Sequence, residues 1–537
     1  MTTYRVLVTD EIDPEGVQLL AGEPALQVDE VPTLSKEALL ARIGDYDAIV
    51  GRSATRISAE VLQQATRLRV VGRAGVGVDN IALDVATSLG IAVINAPAGN
   101  TIAVAELVFG SLIGLIRQIP RAAQSMREGR WDRSDLIGTE LKGKTLGIIG
   151  LGRIGSEVAV RAHAFGMDVV GYDPYIPEER FTAFRVRRQP SLDAMLGECD
   201  IVTVHTPLTD ETRGMIGRRE LFRLTPGAIV ANLARGGIVD DTALLAALES
   251  GQLRGAVLDV YSAEPLAADS PLRKAPNVLL LPHMGASTAE AQRNVAVDVC
   301  VAVRDALLRG ELSRSINVAG THGVKWAELQ PAMQLTERMA AIGRALLADQ
   351  GARAIRRLAL RVGADLAGSR EALLASASIG VLGDVIENER LNLINARALA
   401  EQRGIELAVT EGTPGEGPRG LELTLSSGMK ELYVAGVAAE NAPPRLVRIG
   451  SFHVDVNPRQ TLVILTNHDV PGVIGRVGTL LGEARVNIAE YHQARLAQGG
   501  EALAAVTVDG QVSEAIRQQL LSLPDVISAT VANFRVG

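Results

Sequence analysis

The run Thr145-Leu146-Gly147-Ile148-Ile149 leads directly into Gly150-Leu151-Gly152-Arg153-Ile154-Gly155, and Ser156 to Phe165 continues with the pattern of a helix. An apolar strand, a G-x-G-x-x-G turn and a helix, in that order, form a unit in which each glycine meets a physical need. The first permits a tight turn, the second lets a pyrophosphate approach the backbone, and the third lets helix and strand pack closely. The N–H groups at the start of the helix have no partner within it and face the anion. A second apolar run ends at Val170, and Asp173 follows 23 residues after Gly150. A carboxylate there accepts hydrogen bonds from an adenosine ribose and repels a 2′-phosphate, so the expected dinucleotide is NAD rather than NADP. Its expected contacts are Gly150, Gly152, Arg153, Ile154, Gly155 and Asp173.

Working outward, further apolar runs at Ile201–Val204, Ala228–Val230, Ala256–Leu258 and Val278–Leu281 alternate with helical patterns. Six strands in this rhythm predict a Rossmann-like, doubly wound sheet. Residues 4 to 96 repeat the alternation in short form (Val6–Val8, Ala48–Val50, Leu68–Val71, Ile91–Ile94) and predict a smaller flavodoxin-like parallel unit. Between the two, Thr101 to Met126 reads as one long buried spine helix. A helix from Thr288 to Leu308, opened by Ser287-Thr288 with Glu290 completing a capping box, is expected to return to the first unit. The first domain would then be discontinuous, residues 1–97 and 288–316 around a nucleotide-binding domain of 98–287. An α/β intervening domain is expected over 317–455, with Ala375 to Arg403 helical, a loop from Thr413 to Pro418, and paired strands at Leu421–Leu425 and Glu431–Ala435. Residues 459–537 read strand, helix, strand, strand, helix, strand, the βαββαβ order of a ferredoxin-like domain.

Composition narrows the function classes. A chain of 537 residues exceeds what one core normally serves. A net charge of -8 gives no general basic surface for nucleic acid, and no partner of that kind is expected. Cys199 and Cys300 are the only cysteines, too few and too far apart for a disulfide framework or a cysteine metal site, so no metal is expected. The N-terminal residues lack the basic stretch and apolar core of an export signal. Glu106 interrupts the longest apolar stretch, which is too short to cross a membrane. A soluble, cytoplasmic protein is expected.

Chemistry is expected where strands end. His283 follows the run Val278–Leu281, Glu264 follows Ala256–Leu258, and Arg235 follows Ala228–Val230. Among the histidines, His283 alone is expected at such a strand end. Oxidising a secondary alcohol by hydride loss requires a base for the hydroxyl proton and a cation for the neighbouring carboxylate. Imidazole and guanidinium meet those needs, and a carboxylate such as Glu264 orients the imidazole and raises its proton affinity.

These stretches together have a familiar form. Leu151-Gly152-Arg153-Ile154-Gly155, Asn232-Leu233-Ala234-Arg235-Gly236-Gly237, Asp259-Val260-Tyr261-Ser262-Ala263-Glu264-Pro265 and Leu281-Pro282-His283-Met284-Gly285 resemble the signatures of the D-isomer-specific 2-hydroxyacid dehydrogenases. The resemblance covers residues 1 to about 316. It implies Arg235 as substrate anchor, Glu264 as partner of the histidine, His283 as acid/base and Asp259 as a cofactor contact. Gly51-Arg52-Ser53-Ala54-Thr55, Gly72-Arg73-Ala74-Gly75 and Asn100-Thr101 resemble the phosphoglycerate branch of that family. They imply Arg52, Arg73 and Asn100 at the substrate, and oxidation of 3-phospho-D-glycerate to 3-phosphohydroxypyruvate, the first step of L-serine biosynthesis. Asn467-His468-Asp469-Val470-Pro471-Gly472 and Arg485-Val486-Asn487-Ile488 resemble an ACT domain, a module that binds amino acids between copies. The likeness implies a serine effector at Asn467, Asp469 and Asn487 and a homotetramer. Two other readings stay open: a dehydrogenase of another 2-hydroxy acid such as 2-hydroxyglutarate, and an NAD-sensing binding protein without turnover.

Overall fold

In the computed structural model, residues 3–275, 277–321, 323–383, 390–412, 414–428 and 430–534 are described. The first sheet comprises β1 (Tyr4–Val8), β2 (Leu26–Glu30), β3 (Ala48–Gly51), β4 (Val70–Arg73) and β5 (Ala92–Asn95). All pairings are parallel and the order is β2-β1-β3-β4-β5, the flavodoxin arrangement. β2 was not anticipated. It is an edge strand that pairs only with β1, and its Gln27, Asp29 and Glu30 dilute the apolar signal that marks the buried strands.

The second sheet contains β6 (Thr145–Ile149), β7 (Asp168–Tyr172), β8 (Arg187–Arg188), β9 (Ile201–Val204), β10 (Ala228–Asn232), β11 (Leu253–Leu258) and β12 (Val278–Leu280). It is wholly parallel in the order β12-β11-β10-β9-β6-β7-β8, one strand more than the six expected. The extra strand β8 has two exposed arginines and no apolar pattern to announce it. The chain order reverses between β6 and β9, the switch point where open α/β sheets bind ligands beyond the carboxyl ends of their strands.

The expected single spine is two helices, Thr101–Ile116 and Ile119–Arg127, bent by 62°. Pro120 causes the break: it lacks an N–H and its ring opposes the carbonyl of Ile116. That carbonyl instead accepts the Thr139 N–H at 3.3 Å, and Gln118 takes a left-handed φ of 51°. The first helix is largely buried and packs on the helix Arg153–Ala164; the second is mostly exposed. No single helix among the described residues is long and apolar enough to cross a membrane.

The helix Ala289–Arg309 packs on β4 and on the helix Pro14–Ala21, placing Val295, Val299 and Val303 in the core of the first sheet. Its N-cap is Thr288, whose hydroxyl accepts the Ala291 N–H at 3.1 Å. Glu290 consequently stands at the second helical position, one residue short of the reciprocal bond expected of it, and acts only as a first-turn acid on the helix dipole.

Beyond residue 316, β13 (Arg357–Val362), β14 (Glu406–Glu411), β15 (Gly420–Ser427), β16 (Lys430–Val437), β17 (Arg445–Ile449) and β18 (Phe452–Val456) form a sheet in the order β14-β13-β15-β16-β17-β18. β15 and β16 contain the expected strand pair. The helix expected from Ala375 to Arg403 is instead two helices, Arg370–Leu382 and Ala396–Gln402. Part of that stretch, 384–389, lies outside the described residues; after it, the Asn395 carboxamide accepts the Asn392 N–H at 3.1 Å, a local bond that competes with helix. Of the expected loop from Thr413 to Pro418, residues 414–418 lie between β14 and β15, and Thr413 is outside the described residues.

The last sheet, β19 (Thr461–His468), β20 (Ile488–Arg495), β21 (Glu501–Val508) and β22 (Val526–Asn533), is antiparallel in the ferredoxin-like order β20-β21-β19-β22. Val463 and Leu465 face the two helices of this unit, while Leu462 and Ile464 face the other way. The second face is covered by the helix Trp326–Asp349, and one cluster of buried side chains runs from Leu329 and Leu360 through Leu423 to Leu462, Ile464, Leu503 and Ala532. The intervening and C-terminal segments thus share a core. This C-terminal half also touches the first sheet's unit: Asn392 Nδ2 donates to Gly90 O at 2.7 Å, Arg390 Nη2 donates to Ala65 O at 2.8 Å, and Ile394 enters the core around Val303. Gly90 has φ 69°, and a methyl group there would lie 2.6 Å from Arg390 O.

A shared core makes a testable demand. Ile464→Ala, which empties a fully buried site, should destabilise by roughly 2–5 kcal/mol. Hydrogen exchange should then speed up in β15 and β16 together with β19 and β22. Protection lost in the last sheet alone would mean that the two cores are independent.

Candidate active site

Six loops gather at the carboxyl ends of the second sheet. After β6, Gly150 has φ 90°, and a methyl group on Gly155 would lie 2.1 Å from Gly150 O, so neither position tolerates a side chain. Gly152 begins the helix Arg153–Ala164 with open space beside its Cα, the surface a diphosphate would occupy. Arg153 is exposed and Ile154 half-buried at the start of that helix. Asp173, just past β7, accepts the Leu151 N–H at 2.9 Å and the Tyr175 N–H at 3.0 Å, tying the end of β7 to the glycine turn.

After β9 come His205 and Thr206, which sequence reasoning passed over. His205 occupies a strand end just as His283 does, contrary to the expectation that His283 stands alone there. The His205 backbone is locked to the glycine turn: its N–H donates to Ile149 O at 2.8 Å, and its carbonyl faces Gly150. Its ring meets Thr203 Oγ1 at 2.9 Å through Nε2, while Nδ1 is closed off from solvent without a partner. Burial pushes its pKa down to about 3, so this imidazole stays neutral and makes a poor proton acceptor. Thr206 Oγ1 is likewise buried without a partner, beside Gly150. Two orphaned polar atoms against the glycine turn fit a polar group not supplied by the chain. The sequence did carry a signal for both residues, since they follow an apolar strand of the same sheet.

After β10, β11 and β12 stand Arg235, Glu264 and His283, and contacts link their loops. A methyl on Gly236 would lie 1.8 Å from Tyr261 O, so the arginine loop presses directly on the glutamate loop. Glu264 Oε1 accepts the Tyr261 N–H at 3.0 Å, and Glu264 Oε2 meets His283 Nδ1 at 2.6 Å. An ionised carboxylate only accepts, so Nδ1 carries the proton and Nε2 is left free to take one. His283 itself has φ 52°, a conformation that disfavours a side chain by about 1–2 kcal/mol. Asp259 holds it there. Buried at 1 % exposure, it accepts the N–H groups of Met284 at 2.8 Å and Gly285 at 2.9 Å. Burial raises the Asp259 pKa, and the two amide bonds oppose that shift. Expected as a cofactor contact, Asp259 spends both oxygens on the histidine loop.

Opposite lies the unit built on the first sheet. Asp10 Oδ2 accepts the N–H groups of Arg52 and Thr55, while Asp10 Oδ1 accepts the hydroxyls of Thr33 and Thr55, so one carboxylate shapes the Arg52 loop. Arg73 is the most perturbed cation. Burial, then repulsion by Arg235 and Arg52, lowers its pKa to about 10, while Asp79 and Asp10 work against this. Arg73 Nε is buried without a partner. Three guanidiniums therefore converge across the cleft. Asn100 starts the helix Thr101–Ile116 without capping it, and its Oδ1 and the Thr101 hydroxyl are both buried and unpartnered. Among the described residues no group of His, Cys, Asp and Glu is arranged to hold a metal ion.

The effector candidates do not converge within one chain. Asn467 is buried near the end of β19, with Oδ1 3.3 Å from Gln493 Nε2, and Asp469 just beyond accepts from Arg495 and from the Gly499 N–H, each at 3.3 Å. Asn487 precedes β20 at the opposite end of the sheet, where it donates to Asp509 at 2.6 Å. At about 3.3 Å per residue along β19, the two groups lie on the order of 20 Å apart.

Residues 109–285 match the D-isomer specific 2-hydroxyacid dehydrogenase, NAD binding domain, and residues 461–525 match the ACT domain. D-3-phosphoglycerate dehydrogenase from Methanocaldococcus jannaschii is 37% identical over 98% of this chain and 99% of its own length. The enzyme of that name from Synechocystis is 37% identical over 98% of this chain and 94% of its own. The chain belongs to the D-isomer specific 2-hydroxyacid dehydrogenases. A glyoxylate reductase from Paecilomyes thermophila shares the dehydrogenase fold at a TM-score of 0.54 and 31% identity, over 59% of this chain and 99% of its own. Family membership makes the protein an NAD-dependent oxidoreductase, and the glycine turn, with its orphaned neighbours, fits that cofactor.

The His205 geometry carries a pH signature. Its pKa is depressed in the folded state, so the unfolded chain takes up a proton near pH 6.5 that the native state refuses until about pH 3. Stability should therefore be complete above pH 6.5 and decline below it, by about 1.4 kcal/mol per pH unit for this one group. Urea unfolding at pH 6.5 and 5 should give a shallower pH dependence for His205→Asn than for wild type. Equal slopes would mean that the ring is reached by solvent in the native protein.

Proposed function

We propose that this chain oxidises 3-phospho-D-glycerate to 3-phosphohydroxypyruvate with NAD, the first step of L-serine biosynthesis. The observation that carries the reading is the convergence of Arg52, Arg73 and Arg235 on one cleft beside the His283–Glu264 pair. Burial, and after it the neighbouring charges of Arg235 and Arg52, lower the Arg73 pKa, and an anion with charge at both ends would offset that cost. A 2-hydroxy acid with an uncharged tail would leave two of the guanidiniums unmatched, and relatives of matching length carry the name D-3-phosphoglycerate dehydrogenase.

In this reading Arg235 holds the substrate carboxylate, Arg52 and Arg73 hold the phosphate, and Asn100 offers its buried oxygen to a substrate hydroxyl. His283 Nε2 takes the proton of the 2-hydroxyl while Glu264, bonded to Nδ1, stabilises the imidazolium that results. NAD, when bound, accepts the hydride from C2. The glycine turn, the N-terminus of the helix Arg153–Ala164 and Thr206 would hold its diphosphate, and Asp173 its adenosine ribose. His205, neutral throughout the working range, does not compete for the proton.

The domain division proposed is a substrate lobe of 1–97 and 288–316, a nucleotide lobe of 98–287, and a regulatory half beyond. Serine is the proposed effector. Asn467 and Asp469 lie too far from Asn487 to share a small ligand within one chain, which favours a site formed between two copies, and a homotetramer is the proposed assembly. Two buried free thiols favour a reducing cytoplasm.

A substrate panel with NAD tests the chemistry. His283→Ala should lower kcat by ~10²–10⁴-fold with NADH affinity retained. Arg73→Ala should hurt phosphoglycerate far more than unphosphorylated 2-hydroxy acids; equal losses on both would point to an unphosphorylated substrate such as 2-hydroxyglutarate. NADH binding without turnover of any acid in the panel would favour the NAD-sensing reading. Serine added to wild type should inhibit, and Asp469→Ala should blunt the effect. Insensitivity of both proteins would leave the C-terminal domain a structural role only.

A further inference from the structure

The acid-binding reading assigns no role to Asp79, yet this residue makes a direct bond between the two lobes. It follows β4 in the substrate lobe, and its Oδ2 accepts from Arg235 Nε, which belongs to the nucleotide lobe, at 3.0 Å. Two other contacts fix the same guanidinium. Arg235 Nη1 donates to Ala234 O at 2.7 Å, and a methyl group on Gly77 would lie 1.9 Å from Nη2, so the fork rests against bare backbone. Arg235 Nη2 makes no hydrogen bond among the described residues, so both of its N–H groups are left for a ligand. Asp79 also counters the mutual repulsion of the arginine cluster, since its charge favours the protonated form of Arg73. The Asp79 side chain is two-thirds exposed, at 66%, so the pair adds little to overall stability. Its consequence is geometric: a long, flexible side chain is held in one orientation before the substrate arrives.

We propose that Asp79 is a positioning residue for the reaction, holding the Arg235 guanidinium across the cleft with Nη2 presented to the substrate carboxylate. The inference rests on the acid-binding reading above. A competing role is that Asp79 stands in for the substrate carboxylate and must be displaced by it. The two roles predict opposite signs: loss of a positioning residue weakens substrate use, whereas loss of a competitor tightens substrate binding.

The experiment compares wild type, Asp79→Asn, Asp79→Glu, Arg235→Lys and the Asp79→Asn/Arg235→Lys double variant in full-length protein, assayed with 3-phosphoglycerate and NAD. Asp79→Asn should lower kcat/KM about 10- to 100-fold with NADH affinity unchanged, the range expected when a reacting group is misplaced by about an ångström. Asp79→Glu keeps the charge and should restore most of the loss. Arg235→Lys removes the fork that Asp79 orients, so adding Asp79→Asn should change kcat/KM less than twofold further. A lower KM in Asp79→Asn, or losses that multiply in the double variant, would overturn the inference. Wild-type turnover with an unchanged Asp79→Asn enzyme would sink it alone, whereas absence of wild-type turnover would sink the substrate reading beneath it.

Discussion

The placement of His283, the proposed acid/base, depends on a buried carboxylate that never meets the substrate in the proposed reaction. Asp259 takes the amides of Met284 and Gly285, and in doing so holds His283 in a backbone conformation that a residue with a side chain otherwise avoids. Without those two bonds the loop would relax, and the imidazole would turn away from Glu264. The carboxylate is spared a larger desolvation penalty because both its oxygens are engaged. Strain at the histidine and burial of the aspartate are thus parts of one arrangement, built where β11 and β12 end side by side.

The same economy recurs across the cleft. Asp10 shapes the Arg52 loop through three hydrogen bonds and ties it to Thr33 by a fourth, and Gly77 and Gly236 permit contacts that any side chain would block. Cations of one sign are brought together by acids and bare backbone rather than by one another. The result is a cluster of positive charge that the chain itself does not fully satisfy, as the unpartnered Nε of Arg73 attests.

What the sequence made legible follows from how local each signal is. The glycine turn, the strand ends bearing Arg235, Glu264 and His283, and the βαββαβ tail are written in contiguous residues, and the described structure places them accordingly. Features decided by partners far along the chain were not legible. β2 and β8 are edge strands whose polar residues hide them, and in the six-stranded sheet after residue 356 only the β15–β16 pair was legible, the place of β13 beside β14 and β15 being set by distant partners. Pro120 was a local signal that the apolar run around it outweighed, so two helices were read as one. His205 was passed over although it too ends a strand, and its burial and its hydroxyl partner, in place of a carboxylate, distinguish it from His283. That Asn467 and Asn487 stand at opposite ends of a sheet required the register of β19, β20 and β21.

The contact of Asn392 with the turn at Gly90 bears on how the cleft can open. Asn317, just past the return helix, is stitched to the rim of the first sheet through Val93, Ile91 and Thr87, so the C-terminal half is fastened to the first sheet's unit at two separate points. A body secured twice cannot swivel freely on its attachment. Any rocking of the first sheet's unit must carry the whole C-terminal half as ballast, leaving the second sheet's unit as the lighter partner. Whatever immobilises that ballast thereby restrains the first sheet's side of the cleft.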